Sequence, residues 1–118
     1  MRWPNARQEE AARERVRNDG DVTTMLLTEN AIATGLASLP NWRREGNELI
    51  RDLIFADFRA ALDFVNLIGE EAEAVDHHPD ILLHGWNKVR LALQTHSVGG
   101  LTQKDFDLAS RIELRAKV

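Results

Sequence analysis

The stretch that most constrains this chain runs from Phe55 to Val75. Phe55, Phe58, Leu62, Val65, Ile68, Ala72 and Val75 recur at spacings of three and four, the repeat of an amphipathic helix. The spacing predicts a helix from about Ala56 to Ala74, roughly 30 Å long and able to cross a small domain. With 118 residues there is room for one domain, so the other elements must pack against this helix. Phe64 and Leu67 fall off the stripe and predict a second apolar strip facing another subunit. Gly69 costs such a helix about 1 kcal/mol against Ala, and close approach of another backbone is one reason to carry it.

Strand pairs flank the helix. Upstream, residues 42–45 and 48–54 read as a hairpin, with Gly46-Asn47 supplying the positive φ of a tight turn. Downstream, Ile81–His84 is a short strand and Gly85-Trp86-Asn87 a turn. In the run Lys88–Thr95, Val89, Leu91 and Leu93 alternate with Lys88, Arg90 and Gln94, the pattern of a strand with one buried face. Two further helices close the set. Thr28 caps one that carries Ile32, Leu36 and Leu39 and stops at Pro40. Thr102, with Asp105 three residues on, opens another whose Phe106, Ala109 and Ile112 face the core. The order α-β-β-α-β-β-α predicts an α+β fold: a four-stranded antiparallel sheet with about three helices packed on one face.

Composition narrows the function classes. A net charge of −4 gives no basic excess for nucleic acid or an anionic membrane. Cysteine is absent, which removes disulfides, thiolate metal sites and Cys nucleophiles and fits a cytoplasmic location. No apolar run suits a membrane span. Residues 1–24 balance Arg against acidic residues and lack the apolar core of a signal peptide. They read as a weakly ordered extension or loose helix, or as a partner-binding arm, with Met25 an alternative start. The domain proper is expected over 25–118.

The chemistry-bearing residues gather after the long helix, in Glu73-Ala74-Val75-Asp76-His77-His78-Pro79. Glu73 and His77 are four apart, so on a helix they share a face and the carboxylate can orient the imidazole. Pro79 favours an extended His78 and ends the helix. His96 stands at a strand end and Asp105 in a first helical turn, common places for catalytic groups. Taken alone, these residues allow a solvated loop, a metal site drawing on Glu73, His77, His78 and His96, or imidazoles moving protons near neutral pH. Asp105 can equally be a plain N-terminal cap, Trp86 a core aromatic beside a turn, and His84 an exposed strand residue.

Together the positions form a pattern: an acidic residue, three residues, His-His-Pro, six residues, an aromatic, nine residues, His, eight residues, Asp. Glu73, His77, His78, Pro79, Trp86, His96 and Asp105 fill it. The flanks are Leu39-Pro40-Asn41-Trp42, Phe55-Ala56-Asp57-Phe58, Trp86-Asn87-Lys88-Val89 and residues 95–102 (Thr-His-Ser-Val-Gly-Gly-Leu-Thr). Over about residues 28–114 the chain resembles the pterin-4a-carbinolamine dehydratases. Its segment Asp80–Gly85 is one residue longer than in some members, which shifts the turn or adds a bulge.

The resemblance implies dehydration of 4a-hydroxytetrahydropterin, by-product of the pterin-dependent aromatic amino-acid hydroxylases, to quinonoid dihydropterin in tetrahydrobiopterin recycling. It implies His77, His78 and His96 as catalytic residues, with His77 and His96 exchanging protons. Glu73 and Asp105 would orient them, and His78, Pro79 and Trp86 would bind the pterin. No metal and no cofactor are implied, the pterin being the substrate. It also implies a homodimer or homotetramer, with no nucleic-acid or membrane partner. Some members of the fold are instead dimerisation cofactors of transcription factors or assembly chaperones, so a non-catalytic module is the alternative.

Overall fold

The computed structural model describes residues 24–116. The expected extension 1–24 lies outside these except for Thr24. Helix α1 spans Glu29–Ala37, and Thr28 Oγ1 accepts from the Ala31 amide as its N-cap. Strands β1 (Arg43–Glu45) and β2 (Glu48–Ile54) form the hairpin, with Gly46 at φ 58° in the turn. Helix α2 runs Phe58–Val75, its N-terminus capped by Asp57. Strands β3 (Asp80–His84) and β4 (Lys88–Leu93) follow. A 3-10 turn at His96–Val98 leads to helix α3, Gln103–Ala116.

The sheet order is β1-β2-β4-β3, antiparallel throughout. Cross-strand partners share a face, so Leu49, Arg51 and Leu53 on β2 stand beside Leu93, Leu91 and Val89 on β4, and Ile81 and Leu83 join them from β3. On this face Leu49, Val89, Leu91 and Leu93 are buried, and they share one core with Ile68 of α2 and Leu108 and Ile112 of α3. This is the expected α+β layer. The opposite face carries Arg43, Asp52 and Arg90 in one ion cluster.

Two expectations about α2 are corrected. Its buried face is Ala61, Phe64, Ile68, Glu71 and Ala72, whereas Phe58 and Leu62 are exposed. Phe64 is a core residue, its ring centroid 5.0 Å from that of Phe55. Ile68 and Ala72 of the predicted stripe are buried and Val65 packs against the core, so the stripe is off only at its ends, where Phe58, Leu62 and Val75 face out. A Cβ at Gly69 would meet open space; the close approach is at Gly35 of α1, where a Cβ would fall 2.5 Å from the Phe106 ring.

Helices α2 and α3 run antiparallel. Glu71 is bonded to Arg111 and Arg115, and His77, just past the end of α2, to Asp105 near the start of α3. Rising residue numbers on α2 thus meet falling ones on α3. This register lays the histidine loop on the N-terminus of α3.

Candidate active site

Helix α2 ends where Asp76 takes the left-handed conformation at φ 52°. The His77 amide then donates back to the Ala72 carbonyl at 3.2 Å, a bond that closes a Schellman turn. His77 thereby leaves the helical register that would have set it beside Glu73. Its Nε2 lies 2.7 Å from Asp105 Oδ1. Glu73 instead faces His78, 3.6 Å away, with both side chains exposed. Of the two carboxylates expected to orient the histidines, Asp105, 28 residues away in sequence, is the one that meets His77.

Asp105 is fully buried. Its Oδ2 accepts from Thr95 Oγ1 at 2.8 Å and from the Thr102 amide at 2.9 Å. The latter is the acid's half of a capping box. The Thr102 hydroxyl goes to Thr95 Oγ1 at 2.7 Å. Each hydroxyl has one hydrogen. Thr95 spends its own on Asp105, so Thr102 donates to Thr95.

Both fixed partners of Asp105 are donors to Oδ2, the bonding that suits an ionised carboxylate, which accepts and never donates. With Asp105 ionised, the hydrogen of this contact comes from His77 Nε2, and in the neutral tautomer of the ring Nδ1 then holds the lone pair. Nδ1 has no partner among the described residues, and no buried side-chain nitrogen or oxygen there is left unpaired, so Nδ1 reaches the surface. A basic nitrogen open to solvent, backed by a buried carboxylate, can take up a proton from a bound molecule.

His96 follows Thr95 directly and is exposed. The Thr95 amide donates to the Gly100 carbonyl, and its own carbonyl accepts from Gly99. Thr95 thus closes the loop that carries His96 while its side chain holds Asp105. Through these bonds His77, His78 and His96 come to one end of the sheet, with Pro79 leading into β3.

Trp86 lies elsewhere. It sits in the β3–β4 turn, at the far end of a strand about 15 Å long, and is exposed. The β3–β4 register is continuous from Asp80 to His84, so this segment makes no bulge. Among the described residues no three His, Asp or Glu side chains gather as a metal ion would require, so the metal reading of Glu73, His77, His78 and His96 finds no preformed site. Sequence reasoning missed Thr95. A hydroxyl residue directly before His96, and a second at Thr102, were the available signals.

The sequence pattern of the family described as "Pterin 4 alpha carbinolamine dehydratase" matches residues 25–114. A protein of Acidobacterium capsulatum named "Putative pterin-4-alpha-carbinolamine dehydratase" is 53% identical over 87 residues, which span 74% of this chain and 94% of that protein. One of the same name from Nocardia farcinica is 45% identical over 96 residues, 81% of this chain and 100% of that protein. Among solved structures, a "transcriptional coactivator/pterin dehydratase" from Brucella melitensis superposes with a TM-score of 0.72 at 30% identity, covering 76% of this chain and 97% of that one. A pterin dehydratase-like RuBisCO assembly factor of the alpha-carboxysome shares the fold at a TM-score of 0.55 and 21% identity, over 65% of this chain and 90% of that one. The matched span takes in every strand, helices α1 and α2, all but the last two residues of α3 and all the residues around Asp105, and the chain belongs to the pterin 4 alpha carbinolamine dehydratase family.

Proposed function

We propose that this chain dehydrates a 4a-hydroxytetrahydropterin to the quinonoid dihydropterin. The C4a–oxygen bond breaks and the hydroxyl leaves as water after gaining a proton. The proton on N5 is removed, and its bonding pair becomes the C4a=N5 double bond. One base and one acid on a positioned substrate suffice, so the reading needs no metal or redox cofactor.

The observation that carries it is the 2.7 Å bond from His77 to buried Asp105, which leaves Nδ1 as a base. In this reading His77 takes the N5 proton and Asp105 steadies the imidazolium. His96 delivers the proton to the leaving hydroxyl. His78, next to Glu73, and Pro79 bind the pterin edge.

The test generates the 4a-hydroxytetrahydropterin in situ and follows its disappearance. The protein should accelerate it at neutral pH, with and without a chelator. His77→Ala and His96→Ala should each lose roughly a hundredfold or more. An unaccelerated reaction with the wild-type chain would end the proposal; intact rates in both variants would end the residue assignment.

A second reading has one supporting observation. Phe58 and Leu62 expose a strip of α2, suited to a homodimer or homotetramer, or to a coactivator role such as the one named for the Brucella relative. Sedimentation of the wild type against Phe58→Ser tests it. An unchanged oligomeric state would remove this strip as an interface.

A further inference from the structure

We propose that Thr95 is a positioning residue for His77, acting through Asp105. The inference rests on the role proposed for His77 and adds the element that sets its tautomer. A carboxylate buried beside an imidazole can rotate and share its oxygens. Here rotation is blocked because Oδ2 is committed to two donors, Thr95 Oγ1 and the Thr102 amide. Only Oδ1 remains for His77. The Thr102 hydroxyl, donating to Thr95, fixes where the Thr95 hydrogen points. The chain of donors therefore runs Thr102, Thr95, Asp105, with Asp105 Oδ1 meeting the hydrogen of His77 Nε2 at its end.

Thr95 also ties the two catalytic candidates together. Its backbone closes the loop before Gly100 that carries His96, and its side chain anchors the partner of His77. One residue thus sets the spacing of a base and an acid that must serve opposite sides of one elimination.

The test reads the His77 ring directly, by nitrogen-15 NMR of histidine-labelled full-length protein, and is independent of turnover. In the wild type the hydrogen should sit on Nε2. Asp105→Asn keeps the side-chain shape. If Thr95 and Thr102 hold their acceptor, the amide oxygen must stay with them and the NH2 must face His77. The ring hydrogen should then move to Nδ1. An Asp105→Asn protein that keeps Nε2–H would overturn the proposal, since the amide would have turned to suit the histidine.

Thr95→Val removes one donor. The His77 Nε2 hydrogen should then exchange with water about tenfold faster, and kcat should fall by roughly tenfold with KM little changed. Thr95→Ser, which keeps the hydroxyl, should restore the wild-type His77 spectrum. Should Thr95→Val fail to fold, the Asp105→Asn and Thr95→Ser spectra decide. An unaltered His77 spectrum in folded Thr95→Val also overturns the proposal. A wild-type protein with the stated tautomers and no dehydratase activity would reject the function and leave this wiring standing.

Discussion

At the scale of single residues, Trp86 is the least comfortable in the described chain. It sits at φ 59° directly after Gly85 at φ 54°, in the left-handed region that costs a residue with a Cβ about 1–2 kcal/mol. The residue is 63% exposed, so little packing offsets that cost. The turn is held regardless of the ring, because the Asn87 side chain and backbone both bond Phe55. Trp86→Gly should therefore raise stability, by up to about 1 kcal/mol once the extra backbone freedom of glycine in the unfolded chain is counted. Thermal unfolding checks this; a lower melting temperature would mean that the ring packs on something the exposed turn does not reveal. An exposed, strained tryptophan is also a poor candidate for a core aromatic, one of the two roles its sequence position suggested. Asp76 is the other left-handed residue with a side chain, and it matters more because the histidine loop begins there.

At the scale of elements, the end of α2 decides where His77 points. Asp76 tolerates the left-handed conformation better than most residues, and a β-branched replacement would not. Asp76→Val should destabilise the fold by about 1–2 kcal/mol and cut turnover more than Asp76→Gly does, because the Schellman turn that carries His77 away from Glu73 would be lost. Denaturant unfolding and assay of the two variants test this together; equal activity would show that the turn does not set the site. Elements of this kind were only partly legible in the sequence. Strand alternation at Val89, Leu91 and Leu93, the cap at Thr28 and Asp105's half of the capping box at Thr102 depend on local chemistry, and they appear where local rules put them. The phase of α2 was legible at Ile68 and Ala72 but not in its first turns. Ala61 is too small to mark a stripe, and the exposed Phe58 and Leu62 are large enough to mislead one. Only packing against the sheet and α3 separates them. Glu71 shows the same limit, since a buried carboxylate on a core face makes sense only once Arg111 and Arg115 are opposite it.

At the scale of the whole molecule, the site exists because two antiparallel helices hold one register. Sequence supplied the members, His77, His78, His96 and Asp105, but paired His77 with the neighbour four residues back. Its actual partner arrives through the fold, from the far helix. The fastening that sets this register is Glu71, which is nearly buried on α2 and bonded to Arg111 at 2.8 Å and Arg115 at 3.0 Å. The Arg115 and Arg111 guanidiniums hold its carboxyl below the usual carboxylate range, against the opposing effect of burial. A carboxyl with a lowered folded value binds fewer protons when folded than when unfolded. Its contribution to stability is therefore fully present above the unfolded value, about 4.3, and is lost as pH falls through the folded one. Glu71→Gln should melt below the wild type at neutral pH, and the gap should narrow steadily once the pH drops below about 4.3. The same variant should weaken turnover at neutral pH, although residue 71 touches neither histidine, because α3 would no longer be clamped where Asp105 meets His77. A gap in melting temperature that stays constant down to pH 3, or a variant with unchanged turnover and a lower melting temperature, would separate the clamp from the site. The first result would mean that the paired charge is not what fastens α2 to α3. The second would mean that the donors around Asp105 hold His77 in place without help from the rest of the helix pair.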